Sequence, residues 1–135
     1  MGDGPLKNEI KLFSKVFNLS EKVIFAGHQI DVRPFYWASD IFTLTSSAVE
    51  TFSISSLEAL CCGLPCVLTN IGGANEMIDE QVNGYLSALN SKDICENWEK
   101  AILSKFNKKQ ISKNASEKFN LDLMIDRYSD FLLNI

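Results

Sequence analysis

Short apolar segments alternate with amphipathic ones along this chain, and the alternation constrains the possible folds more than any other feature of the sequence. Four runs with little polar alternation predict strands at residues 22–26, 40–45, 66–69 and 85–88. Such strands are typical of parallel sheets, in which helices cover both faces. The sequence therefore predicts an α/β, Rossmann-like fold, a parallel sheet with helices on both faces.

Apolar residues recur at helical spacing in the segments between and after these runs. In the first segment, Leu6, Ile10, Phe13 and Phe17 share one helical face. We expect helices at residues 5–18, shortly after Pro34, at 53–62, around Trp98, at 108–118 and at 119–135. The alternation continues without a linker or an internal repeat, which favours a single domain over residues 1–135.

Length and composition exclude several classes of protein. A chain of 135 residues, 46% of them hydrophobic, is long enough for one domain with its own core. A net charge of −4 disfavours nucleic-acid binding, and the apolar content disfavours disorder. No apolar run reaches the roughly 18 residues of a transmembrane helix. The four cysteines form no Cys-x-x-Cys pair, so we expect small buried thiols, a cytoplasmic protein and no metal site.

The loop after the second predicted strand leads into a helix and is the strongest candidate for a binding site. Ser53 can cap that helix, and the free N–H groups of Ser53, Ile54 and Ser55 would form a positive end suited to a diphosphate. Glu58, about a turn and a half inside the helix, can accept hydrogen bonds from both hydroxyls of a ribose. Glu50, in the loop, can contact sugar hydroxyls or a developing positive charge. An ordinary solvated acid is the alternative interpretation of each carboxylate.

Two further strand ends carry weaker signals. Gly27 ends the first predicted strand and precedes His28, and a lone histidine is more often a loop residue than a catalyst. Gly72 and Gly73 follow the third strand, where paired glycines allow a turn with positive φ or a close approach of backbone to a ligand. Glu76 then falls in the first turn of a short helix, where the helix dipole favours an acid.

Taken together and in this order, these segments resemble the C-terminal, nucleotide-sugar-binding half of family 4 glycosyltransferases, which have the two-domain GT-B fold. The acid–seven residues–acid spacing, followed by alanine, Cys-Gly-Leu-Pro and Gly-Gly-x-x-Glu, is specific as a set. The resemblance covers almost the whole chain. The matching segments are Gly-Asp-Gly-Pro (2–5), Val-Ile-Phe-Ala-Gly (23–27), Asp-Val-Arg-Pro-Phe-Tyr-Trp-Ala-Ser-Asp (31–40), Glu-Thr-Phe-Ser-Ile-Ser-Ser-Leu-Glu-Ala (50–59), Cys-Gly-Leu-Pro-Cys-Val (62–67), Gly-Gly-Ala-Asn-Glu (72–76) and Asn-Gly-Tyr-Leu (83–86).

The resemblance implies transfer of a hexose from a nucleotide sugar, UDP- or GDP-linked, to a glycan or lipid-linked acceptor, with retention at the anomeric carbon. In that family the residue matching Glu58 binds the donor ribose, and the residue matching Glu50 is the catalytic carboxylate that faces the donor sugar. Such enzymes usually need no metal and no other cofactor. The sequence agrees in having no Asp-x-Asp pair to hold a divalent ion on a diphosphate.

The resemblance also implies which groups hold the rest of the nucleotide. Backbone amides matching Phe52, Ser53 and Ile54 bind the diphosphate, and the loop matching Gly27 and His28 lies near the base. Ser53 stands where many members of the family have glycine, so its side chain should point away from the phosphates.

Parts of the family's domain are expected to be missing at the start of this chain. In the family, the segment matching residues 2–5 follows the first strands, an Arg and a Lys that neutralise the diphosphate, and a whole acceptor-binding N-terminal domain. We therefore expect a partial domain, incomplete as a standalone catalyst, that is marginally stable or self-associates. The helix at 119–135, with Tyr128 and Phe131, is expected either to pack toward the missing domain or to join this domain's core.

Other functions stay open at this point. Besides a hexosyltransferase of polysaccharide biosynthesis, the chain fits a non-catalytic donor-binding subunit or an inactive gene remnant. A glycosidase that uses Glu50 and Glu58 as acid and base is a weaker alternative, because the two carboxylates lie by a helix end suited to a phosphate group. The lysines between residues 100 and 118 either hold the protein at the inner membrane face or form an ordinary solvated helix surface.

Overall fold

The computed structural model describes residues 4–48 and 50–133. Gly2 and Asp3 of the Gly-Asp-Gly-Pro segment, Val49 of the loop before residue 50, and positions 134–135 of the last predicted helix lie outside the described residues. The chain divides into two compact units, Met1–Val32 and Arg33–Ile135. The sheet and both candidate carboxylates belong to the second unit.

In the first unit, the predicted N-terminal helix is confirmed as α1, Lys7–Val16, but the strand predicted at residues 22–26 is absent. The described residues of this unit contain no strand at all. A strand persists only where neighbouring strands satisfy its N–H and C=O groups, so an apolar run alone does not form one. The prediction that this run is buried was also wrong, since Ile24 is 89% exposed.

The second unit is built on a three-stranded parallel sheet in the order β1-β2-β3. Its strands are β1, Phe42–Leu44, β2, Cys66–Thr69, and β3, Gly84–Ser87. All four residues of the central strand are buried. The three strands predicted after residue 40, and the parallel α/β class, are confirmed.

Helices of the second unit follow the predicted positions closely. In the described residues they are α2, Arg33–Trp37, α3, Ile54–Cys61, α4, Ala74–Met77, α5, Ser91–Leu103, α6, Lys108–Lys118, and α7, Leu121–Leu133. The side chains of Ser53, Asn90 and Asn107 cap α3, α5 and α6 by accepting a hydrogen bond from the N–H three residues further on. Helix α6 lies against α3, where the Ser112 hydroxyl donates to the Cys61 carbonyl oxygen at 2.6 Å.

Helix α5 covers one face of the sheet. Side chains alternate between the faces of a strand, so the register places Thr43 and Ser87 on the same face. From α5, the Trp98 indole donates to the Thr43 hydroxyl and the Asn97 amide donates to the Ser87 hydroxyl, each at 3.0 Å.

Helices α2 and α3 lie on the opposite face, to which Phe42 and Cys66 point. The Phe42 ring packs edge-on against Tyr36 of α2, with ring centroids 5.8 Å apart. The Cys66 thiol lies 3.9 Å from the Ser56 carbonyl oxygen of α3. The prediction of helices on both faces is therefore confirmed.

The last helix, α7, contributes no buried residue to the second unit. Tyr128 is 63% exposed and Phe131 is 66% exposed. These two rings therefore do not join a core in the described part of the unit. Packing of α7 toward another domain stays a prediction.

The four cysteines are free thiols, but only Cys66 is fully buried, and Cys61 and Cys95 are exposed. The prediction of buried thiols was wrong for those two, which lie on solvent-facing sides of α3 and α5. Burial raises the pKa of the Cys66 thiol. Across residues 4–48 and 50–133, no cluster of three or more metal-ligating side chains occurs. Nor does any helix in those ranges combine the length and apolarity that crossing a membrane requires.

We predict that Asn97→Ala destabilises the second unit by about 1–3 kcal/mol, because it leaves buried acceptors without a donor. Asn97 is 4% exposed, and its amide donates to the Leu86 carbonyl oxygen and the Ser87 hydroxyl, both at 3.0 Å. Urea unfolding followed by circular dichroism measures the change. The exposed Glu96 of α5 provides the control, since Glu96→Ala should cost less than about 0.5 kcal/mol. Equal costs for the two variants would contradict this role of the amide.

Candidate functional site

The loops that follow β1 and β2 lie side by side at the carboxyl end of the sheet. The Thr69 hydroxyl donates to the Ser46 carbonyl oxygen at 2.7 Å, and the Gly73 N–H donates to the Thr51 carbonyl oxygen at 2.8 Å. These bonds join the loop that leads into α3 to the loop that leads into α4. Because ligands of parallel α/β sheets bind beyond the carboxyl ends of the strands, the joined loops form the candidate site.

The paired glycines of the second loop allow this close packing. Gly72 has a φ of +53°, and a Cβ atom there would overlap the Glu50 carbonyl oxygen. A Cβ atom on Gly73 would lie 2.5 Å from the Thr51 carbonyl oxygen. The predicted positive φ is confirmed, and the close approach is made to the neighbouring loop.

Glu50 is half-buried in the loop before α3. The Ser46 hydroxyl donates to its carboxylate at 3.4 Å, which is long for a hydrogen bond. With Ser53 and Thr69, Glu50 also lines a cavity of about 10 Å³, which holds one water molecule at most. A ligand as large as a sugar must therefore reach Glu50 from the solvent side.

Ser53 caps the amino end of α3, as the sequence predicts. Its hydroxyl accepts hydrogen bonds from the Ser56 N–H at 3.1 Å and from the Ser56 hydroxyl at 2.8 Å, and Ser53 is 7% exposed. The side chain is thus turned into the first turn of the helix. Because the first N–H groups of a helix have no intrahelical acceptor, those of Ser53, Ile54 and Ser55 form a positive end.

The flanking residues Phe52 and Ile54 differ in their surroundings. The Phe52 ring packs edge-on against Phe119, with centroids 5.5 Å apart, whereas Ile54 is 69% exposed. A groove of about 740 Å³ opens beside Phe52, and Glu76 and Arg127 contribute to its walls. Sequence reasoning missed this groove, because no local pattern indicates that α7 lies beside the loop before α3.

Glu58 lies on the exposed side of α3. Its Oε2 atom is 3.5 Å from the Tyr36 hydroxyl, which also lies 3.3 Å from the Ser55 carbonyl oxygen. Burial first, and then the negative charge of Glu58, raise the pKa of Tyr36 to about 12. Sequence reasoning did not select Tyr36. The available signal was that Tyr36 is the one tyrosine of a short aromatic-rich helix just before β1.

The predicted site residues fall into two groups. Those of one continuous stretch in the second unit are Glu50, Phe52, Ser53, Ile54 and Glu58. Gly27 and His28 belong to the first unit. Gly27 has a φ of +69° with open space where a Cβ atom would lie, and His28 is exposed. Their position near a nucleotide base stays a prediction.

A helix end capped by Ser53, beyond the carboxyl ends of parallel strands, is an arrangement at which many α/β proteins bind phosphate-bearing ligands. Comparison with known proteins then gives the family. Residues 1–118 match glycosyl transferases group 1, and the chain belongs to this family of glycosyltransferases.

Relatives within this family have known names. The chain is 30% identical over 140 aligned residues to UDP-Gal:alpha-D-GlcNAc-diphosphoundecaprenol alpha-1,3-galactosyltransferase of Escherichia coli. This alignment covers 100% of this chain and 36% of that protein. It is 37% identical over 86 residues to N-acetyl-alpha-D-glucosaminyl L-malate synthase of Bacillus anthracis, or 64% of this chain and 22% of that protein. The matched region is thus 22–36% of these relatives.

The fold also matches solved structures of this kind. The chain superposes on Anabaena Alr3699/HepE, solved in complex with UDP, with a TM-score of 0.81 and 26% sequence identity. The superposition covers 95% of this chain and 36% of HepE. The α/β class predicted from the sequence is therefore that of known glycosyltransferase structures.

We predict that the second unit loses stability through Tyr36 between about pH 10 and pH 12. The pKa of Tyr36 rises from its ordinary 10.0 to about 12 in the fold. In that window the unfolded chain releases the phenolic proton while the folded chain keeps it, so the free energy of unfolding falls as pH rises. The expected contribution of Tyr36 is about 1 kcal/mol between about pH 9 and pH 11, taken from urea unfolding as the difference between the wild-type chain and Tyr36→Phe. The difference is needed because the buried Cys66 thiol, whose pKa is also raised, adds a loss of its own in both chains.

Two tyrosine variants control this measurement. Tyr36→Phe has no proton to release and should lose correspondingly less stability over the same interval. Tyr85→Phe removes a tyrosine hydroxyl on the α5 side of the sheet, where it bonds to the Ser104 hydroxyl at 3.0 Å, and so controls for the loss of a hydroxyl as such. A wild-type chain that loses no more stability than Tyr36→Phe would refute the assignment.

We also predict that Gly72→Ala destabilises the second unit by about 2–4 kcal/mol and moves the Glu50 backbone, because it adds a steric overlap to an unfavourable φ. Urea unfolding measures the first effect, and the amide chemical shifts of residues 46–52 report the second. Gly27→Ala is the matched control, with a φ of +69° but open space around the Cβ position. It should cost only about 1 kcal/mol. Equal costs would show that backbone conformation alone explains Gly72.

Proposed function

We propose that this chain is the donor-binding part of a family 4, GT-B, retaining glycosyltransferase, which transfers a hexose from a nucleotide sugar to a glycan or lipid-linked acceptor. The proposal rests on the capped amino end of α3, with Glu50 in the loop before it and Glu58 within the helix. This arrangement offers N–H donors to a diphosphate and carboxylate acceptors to the hydroxyls of the two sugars.

Each group then has a role in the transfer. Amides of Phe52, Ser53 and Ile54 hold the diphosphate, and Glu58 accepts hydrogen bonds from the ribose. As the bond from the anomeric carbon to the diphosphate oxygen breaks, the helix end stabilises the growing negative charge and Glu50 the positive charge on the sugar. The acceptor oxygen bonds to the same face of that carbon, and its proton passes to the departing phosphate.

The donor is proposed to be a UDP-linked hexose, with Gly27 and His28 near its base. Two observations favour UDP over GDP, since the Escherichia coli relative is named for UDP-Gal and HepE was solved with UDP. The nucleotide sugar is a substrate, and the proposal includes neither a metal ion nor a resident cofactor.

The acceptor is proposed to bind a separate N-terminal domain toward which α7 packs. Exposed Tyr128 and Phe131 give α7 apolar surface of the kind that marks an interaction face. We place the reaction in the cytoplasm, at the inner membrane face, where nucleotide sugars and lipid-linked acceptors meet. The Escherichia coli relative's name, with its diphosphoundecaprenol acceptor, supports a role in polysaccharide biosynthesis.

Titration of the purified chain with UDP, GDP and ADP, followed by thermal unfolding, tests the donor site. We predict that UDP at about one hundred times its Kd stabilises the fold by roughly 2.7 kcal/mol. Glu58→Ala should remove most of that gain. Glu99→Ala changes an exposed acid on α5 and should keep it.

Two results would count against the proposal. The first is a folded chain that responds to none of the three nucleotides. The second is an equal loss of response in Glu58→Ala and Glu99→Ala, which would mean that general negative charge, and not the carboxylate on α3, affects binding.

A further inference from the structure

We propose that Tyr36 is a positioning residue that holds one oxygen of the Glu58 carboxylate, so that the carboxylate is ordered toward the donor ribose before the nucleotide arrives. The inference rests on the proposed function and deepens it. It adds to the site a residue from α2, outside the loop and helix that carry the other groups.

Tyr36 is fixed in place by the sheet. It is the buried residue of the five-residue helix α2 and is 5% exposed, while its neighbour Trp37 is 64% exposed. Its ring meets the Phe42 ring of β1 edge-on, at 84° between the ring planes. A ring held on that side can aim its hydroxyl at α3 with little freedom to move.

The hydroxyl reaches two acceptors that lie one helical turn apart on α3. The Ser55 carbonyl oxygen is 3.3 Å away and Glu58 Oε2 is 3.5 Å away, and one phenolic proton serves both. Ser55 belongs to α3, where the regular acceptor role of its carbonyl is toward the N–H four residues further on. Both distances are long for O–H···O hydrogen bonds, and the ionised carboxylate is the stronger acceptor of the two.

An exposed glutamate needs this help because its side chain is flexible. Ordering such a side chain when a ligand binds reduces affinity. A hydrogen bond to one carboxylate oxygen restricts the rotamer in advance and leaves the other oxygen, with the remaining lone pairs, for the ribose hydroxyls.

Tyrosine suits this role because it donates without carrying charge. A lysine or arginine in its place would neutralise the carboxylate and compete with the ribose hydroxyls as a donor. The high pKa of Tyr36, about 12, keeps its proton in place throughout the neutral range.

The test compares two ligands that differ only in the ribose hydroxyls. Calorimetry gives the Kd of UDP and of 2′,3′-dideoxyuridine diphosphate for the wild-type chain, Tyr36→Phe, Glu58→Ala and the double variant. Tyr85→Phe is the matched control, because its hydroxyl bonds to Ser104 at 3.0 Å on the other face of the sheet.

We expect Tyr36→Phe to raise the Kd of UDP roughly three- to tenfold, and to change the Kd of the dideoxy ligand less than about twofold. The double variant should bind UDP no more weakly than Glu58→Ala alone, and Tyr85→Phe should match the wild-type chain. An equal loss for both ligands would assign Tyr36 a merely structural role, and no loss for either would also overturn the inference.

A measurement without ligand separates this inference from the proposed function. In the free chain, Tyr36→Phe should increase the side-chain mobility of Glu58 in ¹³C relaxation experiments, and Tyr85→Phe should leave that mobility unchanged. If the wild-type chain binds no UDP while this increase is seen, the proposed function fails but the contact between Tyr36 and Glu58 stands. Unchanged mobility overturns the inference whatever the ligand does.

Discussion

The central strand β2 is the constraint on which the rest of the second unit depends. Its four residues are all buried, so every N–H and C=O group of the strand must be satisfied by parallel neighbours on both sides. Parallel pairing requires each connection to return along a face of the sheet, and α3 does so between β1 and β2. Helix α5 follows β3 and covers the opposite face. It also brings the carboxyl ends of β1 and β2 to one edge, where the two loops of the site meet.

Backbone packing between those loops, more than any side-chain contact, determines where Glu50 lies. The Gly73 N–H bonds to the Thr51 carbonyl oxygen at 2.8 Å, and the missing Cβ of Gly72 makes room for the Glu50 carbonyl. The glycine pair therefore contributes to the site indirectly, because it packs against the loop that carries Glu50 and fixes the position of that loop.

Features that depend on residues close together in the sequence were predicted correctly, whereas contacts between distant segments were not. The capping of α3 by Ser53 is a contact within four residues, and the sequence predicted it. The prediction of a strand at residues 22–26 was wrong, because an apolar run forms a buried strand only when partner strands exist. The contact of Tyr36 with Glu58 joins residues 22 positions apart on two helices, and its partner depends on how both helices pack on β1. Gly27 and His28 lie in the first unit, and their place near the nucleotide base stays a prediction.

The charge at the amino end of α3 is too small to bind a diphosphate alone, so a nucleotide-sugar site also needs positively charged groups from outside residues 50–58. A helix end supplies roughly half an elementary charge, which is much less than the charge of a diphosphate. Glu50, in the loop before α3, and Glu58, within the helix, add negative charge, so they favour sugar hydroxyls and disfavour phosphates. A neutral donor such as Tyr36 orders a carboxylate without relieving that opposition. Positive charge must therefore come from residues outside this stretch. Lys118 and Arg127 line the groove beside Phe52, and the family resemblance implies a further Arg and Lys.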